Sequence, residues 1–308
     1  MRSLQRLMEE TIDYAGLFPP AELDMRPALE HYAKHRTCEH RWMLGRFVVP
    51  VKRLSEFDRF TEDLFAKQGS AARDDAWRIT ALVSPLQEEA LDLDLETIEA
   101  FNAAYNRKGG TSAVIDAIES KAASGAIIAE CLERIPEGFE AWVEIPWDTD
   151  PRGAIAALSG YDAGAKVRTG GTAAAAHPTP AQLALFIDSA AAANVPLKAT
   201  AGLHHPARNR NDKVGCDQFG FLGVFLGACL RFHERLDRAG LEQILEERDA
   251  KAFKFDADGA AWNKARVTLR EIDEARRQFI KSFGSCSFDE PVEDLRALGL
   301  MPAEGAAS

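Results

Sequence analysis

The chain has 308 residues, enough for one large α/β barrel or two smaller domains, and nothing in it reads as a linker. Its composition, 46% hydrophobic and 28% charged, is that of an ordinary globular protein. A net charge of −11 repels a phosphate backbone on average, which argues against nucleic acid as a partner.

Cys38, Cys131, Cys216, Cys229 and Cys286 are odd in number and far apart, without a CxxC, so neither a disulfide framework nor a zinc knuckle is expected. Reduced thiols in the cytoplasm are the simple reading. Residues 1–20 carry Glu9 and Glu10 and lack an unbroken apolar core, unlike a signal peptide, and no run reaches membrane-spanning length. A soluble, cytoplasmic protein with no membrane partner is expected, and a homo-oligomer is allowed.

Residues 2–12 read as a short amphipathic helix, broken by Tyr14 and the Phe18-Pro19-Pro20 turn. We read Asp13-Tyr14 and that turn as a hydrophobic plug closing one end of a barrel, with a substrate lid as the alternative. A helix over 26–41 follows, completing an N-terminal helical segment, 1–45. An alternation then begins, with strands over 46–51, 77–84, 112–122 and 139–147 and helices over 54–68, 88–106, 125–135 and 152–159 between them. The fifth strand is GAKVRTGG from Gly164, and Thr179-Pro180 opens the next helix with a cap and a proline at its first position. The sixth strand is PLKATAG from Pro196, followed by helices over 217–232 and 239–248. AFKFDAD (252–258) is the seventh strand, 263–277 a helix and FIKSFG (279–284) the eighth strand. Ser287-Phe-Asp-Glu290 has capping-box spacing and introduces a last helix, and 301–308 reads as a disordered tail.

Eight strands separated by helices predict an α/β protein of the (β/α)8, TIM-like barrel class over 46–300, with the helical segment 1–45 packed on it. An open doubly wound sheet would ordinarily bring a glycine fingerprint after the first strand, and VVPVKRL has none.

Lys166 and Lys198 stand mid-strand, where a buried strand should carry Val, Ile or Leu. Strand parity lets Glu119 and Lys121, Glu144, Lys166 and Arg168, and Lys198 and Thr200 point inward. An ion network that merely fixes register is the rival reading, but buried ion pairs contribute little net stability. Neighbouring strands lie about 4.8 Å apart, so repulsion between Lys166 and Lys198, with desolvation, is expected to depress one ammonium's pKa. A neutral lysine attacks carbonyl carbon, and Glu144 or Glu119 would carry the protons.

Lys166-Val-Arg-Thr-Gly170 and Lys198-Ala-Thr-Ala-Gly202 resemble the two lysine motifs of class I aldolases of the deoxyribose-phosphate aldolase type, and the Thr-Pro helix between them is similar too. The likeness covers about 45 residues. It implies Lys166 as the Schiff-base nucleophile and Lys198 as the cation that tunes it. Arg168 stands where that family carries a small residue, and Leu203-His204-His205 replaces the stretch after the second glycine pair. Counted along this chain the motifs fall on the fifth and sixth strands, against the family's sixth and seventh.

His204 and His205 admit a metal-dependent hydrolase or isomerase as a second reading, in which a divalent cation activates water. A barrel that binds a ligand without catalysis is the third. No cofactor is expected in the first reading. Thr169, Gly170 and Gly171, and Ser285 and Ser287 beside Gly284, are candidate anion binders because they can offer free backbone N–H groups near a helix start. The sequence thus predicts a lyase-like enzyme acting through a lysine imine on a small, anionic carbonyl compound.

Overall fold

A computed structural model describes residues 2–68, 76–107, 113–122 and 124–301. Of the expected tail over 301–308, Met301 is described and is buried, and 302–308 lie outside the described residues. The strands in chain order are β1 Ile12–Tyr14, β2 Leu44–Pro50, β3 Trp77–Leu82, β4 Ala113–Lys121, β5 Glu140–Glu144, β6 Ala163–Arg168 and β7 Leu197–Thr200. They are followed by β8 Asn209–Asn211, β9 Cys216–Gln218, β10 Phe253–Phe255, β11 Gly259–Trp262, β12 Ala265–Thr268 and β13 Ile280–Ser285.

Eight of these close a parallel barrel in the order β1-β13-β7-β6-β5-β4-β3-β2. Helices surround it, as a (β/α)8 barrel requires. Residues that alternate outward, such as Phe47, Trp77, Ile79 and Phe283, are fully buried against helices. Both faces of each strand are therefore covered, and the polar inward positions are enclosed rather than solvated.

Two expected strands need correction. The barrel's first strand is Ile12–Tyr14, inside the N-terminal segment expected to hold two helices joined by a turn, and it pairs with β2 and β13 to close the ring. The barrel therefore begins well before residue 46. Phe253–Phe255 is no barrel strand: it pairs antiparallel with β11, which pairs antiparallel with β12, in a separate three-stranded sheet. The two errors offset each other in the strand count, so Lys166 and Lys198 lie on the sixth and seventh barrel strands rather than the fifth and sixth.

The remaining elements follow local chemistry. Thr179 caps the helix Pro180–Ala192 in a complete capping box with Gln182, and Pro180 sits in its first turn, as expected. Thr268 and Glu271 cap Leu269–Gln278 in the same way, which moves that helix start past the position expected. The apolar helix expected from 217 begins at Phe221, after β9, and every residue from Phe221 to Leu230 is buried. The hairpin β8–β9 brings Asn211 and Gln218 to the barrel mouth. Among the described residues no helix is long and apolar enough to cross a membrane.

Candidate active site

The inward faces of five strands build one row of alternating charge. Lys198 Nζ lies 2.6 Å from Asp13 Oδ2 and 2.5 Å from Glu119 Oε1. Lys166 Nζ lies 2.7 Å from Glu119 Oε2 and 2.9 Å from Glu144 Oε2. Glu144 Oε1 then faces Arg168 Nε at 3.5 Å and Lys121 Nζ at 3.6 Å. Register explains the row: Lys166 is level with Lys198 across β6–β7 and with Glu144 across β5–β6.

Two glycines make the row possible. A Cβ on Gly45 would fall 2.3 Å from Asp13 Oδ1, and one on Gly164 would fall 2.2 Å from the Trp142 ring. Trp142 can therefore lie in the barrel interior, with its ring centroid 6.0 Å from Lys198 Nζ, the outer limit of a cation–π contact. Asp13 is pinned independently of the lysine, accepting from Arg46 N and from Ser282 Oγ, each at 2.7 Å. Its carboxylate thus stands ready for the ammonium. The Lys198 contacts are close ion pairs whose donor directions are not aligned as hydrogen bonds.

Charge states follow from this packing. Burial pushes the Glu119 carboxyl up, but Lys166 and Lys198 outweigh it and hold the pKa down at about 2. Glu144 is held below the usual carboxylate range in the same way, its burial overcome by Lys166 and Arg168. Burial opposes the Lys198 ammonium, yet Asp13 and Glu119 together raise its pKa above the ordinary lysine value. The depression expected at one of the two lysines is not found at Lys198, because Glu119 places one oxygen on each ammonium.

Above the row, at the C-terminal ends of the strands, opens a cavity of about 1120 Å³. Glu119, Glu144 and Lys166 form its polar floor, Val48 and Leu82 part of its apolar wall, and Tyr14 and Phe18 its rim. Lys198 and Asp13 do not line it. The Phe18-Pro20 turn is thus part of the mouth's wall, and Asp13-Tyr14 belongs to a barrel strand; neither is a plug.

Other expected site residues divide. Arg168, Gly171, Thr200, His204, His205, Ser285 and Ser287 all line the cavity. Thr169 and Gly170 do not: the Thr169 hydroxyl donates to the carbonyls of Thr200 and Ala201, and Gly170 backs onto Gly202. Ser285 Oγ donates to the Ser287 carbonyl, and Ser287 Oγ accepts from Glu290 N, so both hydroxyls serve their own loop. The helix that follows, Asp289–Ala297, opens on two carboxylates that also line the cavity, an unwelcoming start for an anion.

His204 Nδ1 is 2.9 Å from Glu290 Oε2, and His205 Nδ1 is 2.7 Å from Asp294 Oδ2. Each imidazole is tied to the last helix rather than to its neighbour's target. Among the described residues no group of three or more His, Cys, Asp or Glu is arranged to hold a metal ion.

Sequence reasoning did not assign Asp13, His31 or His35 to the site. His31 and His35 come from the helix Met25–Thr37 and line the mouth, with Tyr14 Oη 3.3 Å from His31 Nδ1. The signal for Asp13 was an acidic residue between Ile12 and Tyr14, an alternation only three residues long.

The chain is thus a (β/α)8 barrel with a buried lysine–carboxylate row beneath its C-terminal mouth, the end at which barrels of this class carry their binding sites. No protein-family model matches this chain, and no curated protein matches it.

Proposed function

We propose that the protein is a lyase-like enzyme that binds a small carbonyl compound in the barrel mouth and acts through an imine on Lys166. One observation carries the reading: of the two lysines in the buried row, Lys166 opens on the cavity while Lys198 is sealed beneath it. A reaction that needs an amine within reach of a ligand can use the first and not the second.

The row supplies the proton path. Glu144, 2.9 Å from Lys166 Nζ, accepts a proton from the ammonium when a carbonyl compound enters. The free amine adds to the carbonyl carbon, and its N–H proton passes to the new hydroxyl. Glu144 returns its proton to that hydroxyl, which leaves as water, and the nitrogen carries the positive charge of the iminium. Glu119 and Asp13 hold Lys198 protonated throughout, so a fixed cation lies on the far side of Glu119. The position of the two lysines on the sixth and seventh barrel strands is in keeping with the aldolase likeness of their motifs.

Borohydride reduction tests the reading. Wild-type protein incubated with small aldehydes and ketones should gain the mass of the carbonyl compound less one oxygen, mapped to Lys166. Lys166→Met should abolish the adduct. An adduct on Lys198 would reverse the roles, and trapping that persists in Lys166→Met would remove Lys166 from the chemistry.

A further inference from the structure

We infer that Arg168 is the receptor for a substrate carboxylate, and that the substrate is a short oxo acid with its carboxylate within a carbon or two of the carbonyl. This rests on the imine reading for the carbonyl end only.

Three observations converge on Arg168. It follows Lys166 by two residues on β6, so both side chains leave the strand on the same face, about 6.6 Å apart along it. Both reach the same carboxylate: Arg168 Nε meets Glu144 Oε1 and Lys166 Nζ meets Glu144 Oε2. The guanidinium is therefore drawn back toward the reacting nitrogen instead of standing away from it.

Its donors are also unspent. The Arg168 side chain is 43% exposed and lines the cavity; among the described residues its single ion pair is the 3.5 Å contact to Glu144, and its guanidinium donates no hydrogen bond. Arg46, by contrast, holds Asp116 in a fork of two hydrogen bonds. A guanidinium with a free fork beside a polar floor matches a carboxylate in shape and charge. Arg168 is the one arginine among the described residues lining the cavity.

Charge balance indicates one carboxylate rather than a phosphate dianion. Asp13, Glu119 and Glu144 are matched by Lys198, Arg168 and Lys121. A cationic Lys166, as ammonium or as iminium, then leaves one positive charge over, which a monoanion neutralises. Elsewhere in the lining Asp289 and Glu290 outnumber Lys213, and their excess charge would oppose a second negative charge on the substrate.

The test is the concentration dependence of borohydride trapping with three probes: pyruvate, hydroxyacetone and dihydroxyacetone phosphate. Wild type should half-saturate with pyruvate at a concentration about tenfold to a hundredfold below that for hydroxyacetone, the range of a charged hydrogen-bond pair. Arg168→Gln should weaken pyruvate trapping at least tenfold more than hydroxyacetone trapping, and Arg168→Lys should recover part of the difference. Equal half-saturation by pyruvate and hydroxyacetone, a preference for the phosphorylated probe, or a preference that survives in Arg168→Gln would each overturn the assignment. Lactate, which has no carbonyl to trap, separates this inference from the imine reading. If no probe traps but lactate raises the wild-type melting temperature and not that of Arg168→Gln, the carboxylate receptor stands and the imine falls. No lactate effect together with no trapping would overturn both.

Discussion

Removing Lys198 should cost stability before it costs anything else. Its ammonium is fully buried between Asp13 and Glu119, at 2.6 and 2.5 Å, and Lys198→Met keeps the volume but leaves two buried carboxylates without their shared cation. Breaking such a pair from one side costs about 3–5 kcal/mol. The lower end is expected here, because Asp13 keeps the Arg46 N–H and the Ser282 hydroxyl, and Glu119 keeps Lys166. In a chain of this size that is a melting temperature lower by roughly 5 °C. The pH dependence is more specific. In the wild type the depressed Glu119 pKa gives stability that is present above the ordinary carboxylate value and lost as pH falls toward about 2. Lys198, raised above its unfolded value, contributes fully at neutral pH and loses its contribution only as pH rises through its folded pKa. In Lys198→Met the Glu119 carboxyl loses one of the two cations that hold its pKa down, so that pKa rises and acid should relieve the variant. Urea denaturation of both proteins across pH 4–8 should therefore give a stability gap that narrows on acidification. A gap under about 1 kcal/mol at neutral pH, or one that widens in acid, would refute the account of the row as a mutually compensated buried charge system.

Glu144→Gln should leave the fold intact yet slow imine formation, since the amide cannot take the Lys166 proton across 2.9 Å; trapping rates at fixed probe concentration check this. Gly164→Ala should destabilise by about 1–3 kcal/mol through overpacking, because its Cβ would meet the Trp142 ring at 2.2 Å, and thermal melting reads the cost. His35, buried against Tyr14 and Phe288, has its pKa lowered from 6.5 to about 4, by burial first and by His31 and Lys34 after it, with Asp289 opposing. The unfolded chain therefore binds a proton that the folded one refuses, so stability falls as pH drops from 6.5 toward 4, and His35→Gln should flatten that part of the denaturation profile.

The barrel was legible where strand and helix periods alternate over whole elements, and illegible where a strand is three residues long. Ile12–Tyr14 offers no alternation that a helix end or a turn could not also show; its strand state is imposed by pairing with β2 and β13. Phe253–Phe255 has the opposite defect. Its pattern is strand-like in sequence, and β11, not a barrel neighbour, claims its hydrogen bonds. Inward parity at Glu119, Glu144, Lys166 and Lys198 followed from period two alone, because a closed barrel has one interior. The loop residues around Ser285 did not follow, since a hydroxyl near a helix start serves a cap or a ligand with the same sequence.

The residue the sequence reading left out of account is the one that stands between the lysines. Parallel strands at about 4.8 Å put two level lysines in reach of each other, and that distance alone suggests repulsion. Side-chain length changes the outcome. Glu119, two strands away from β6 on β4, reaches across with both oxygens, one to each ammonium, so each cation meets an anion first. A buried pair of like charges becomes affordable only when a carboxylate is interposed, and Asp13 on the far side completes the enclosure of Lys198. Chain parity reveals which groups enter an interior, but the order in which they touch depends on reach and register together. Here that order gives the two lysines unequal surroundings: one sealed between Asp13 and Glu119, the other left with a side toward the cavity.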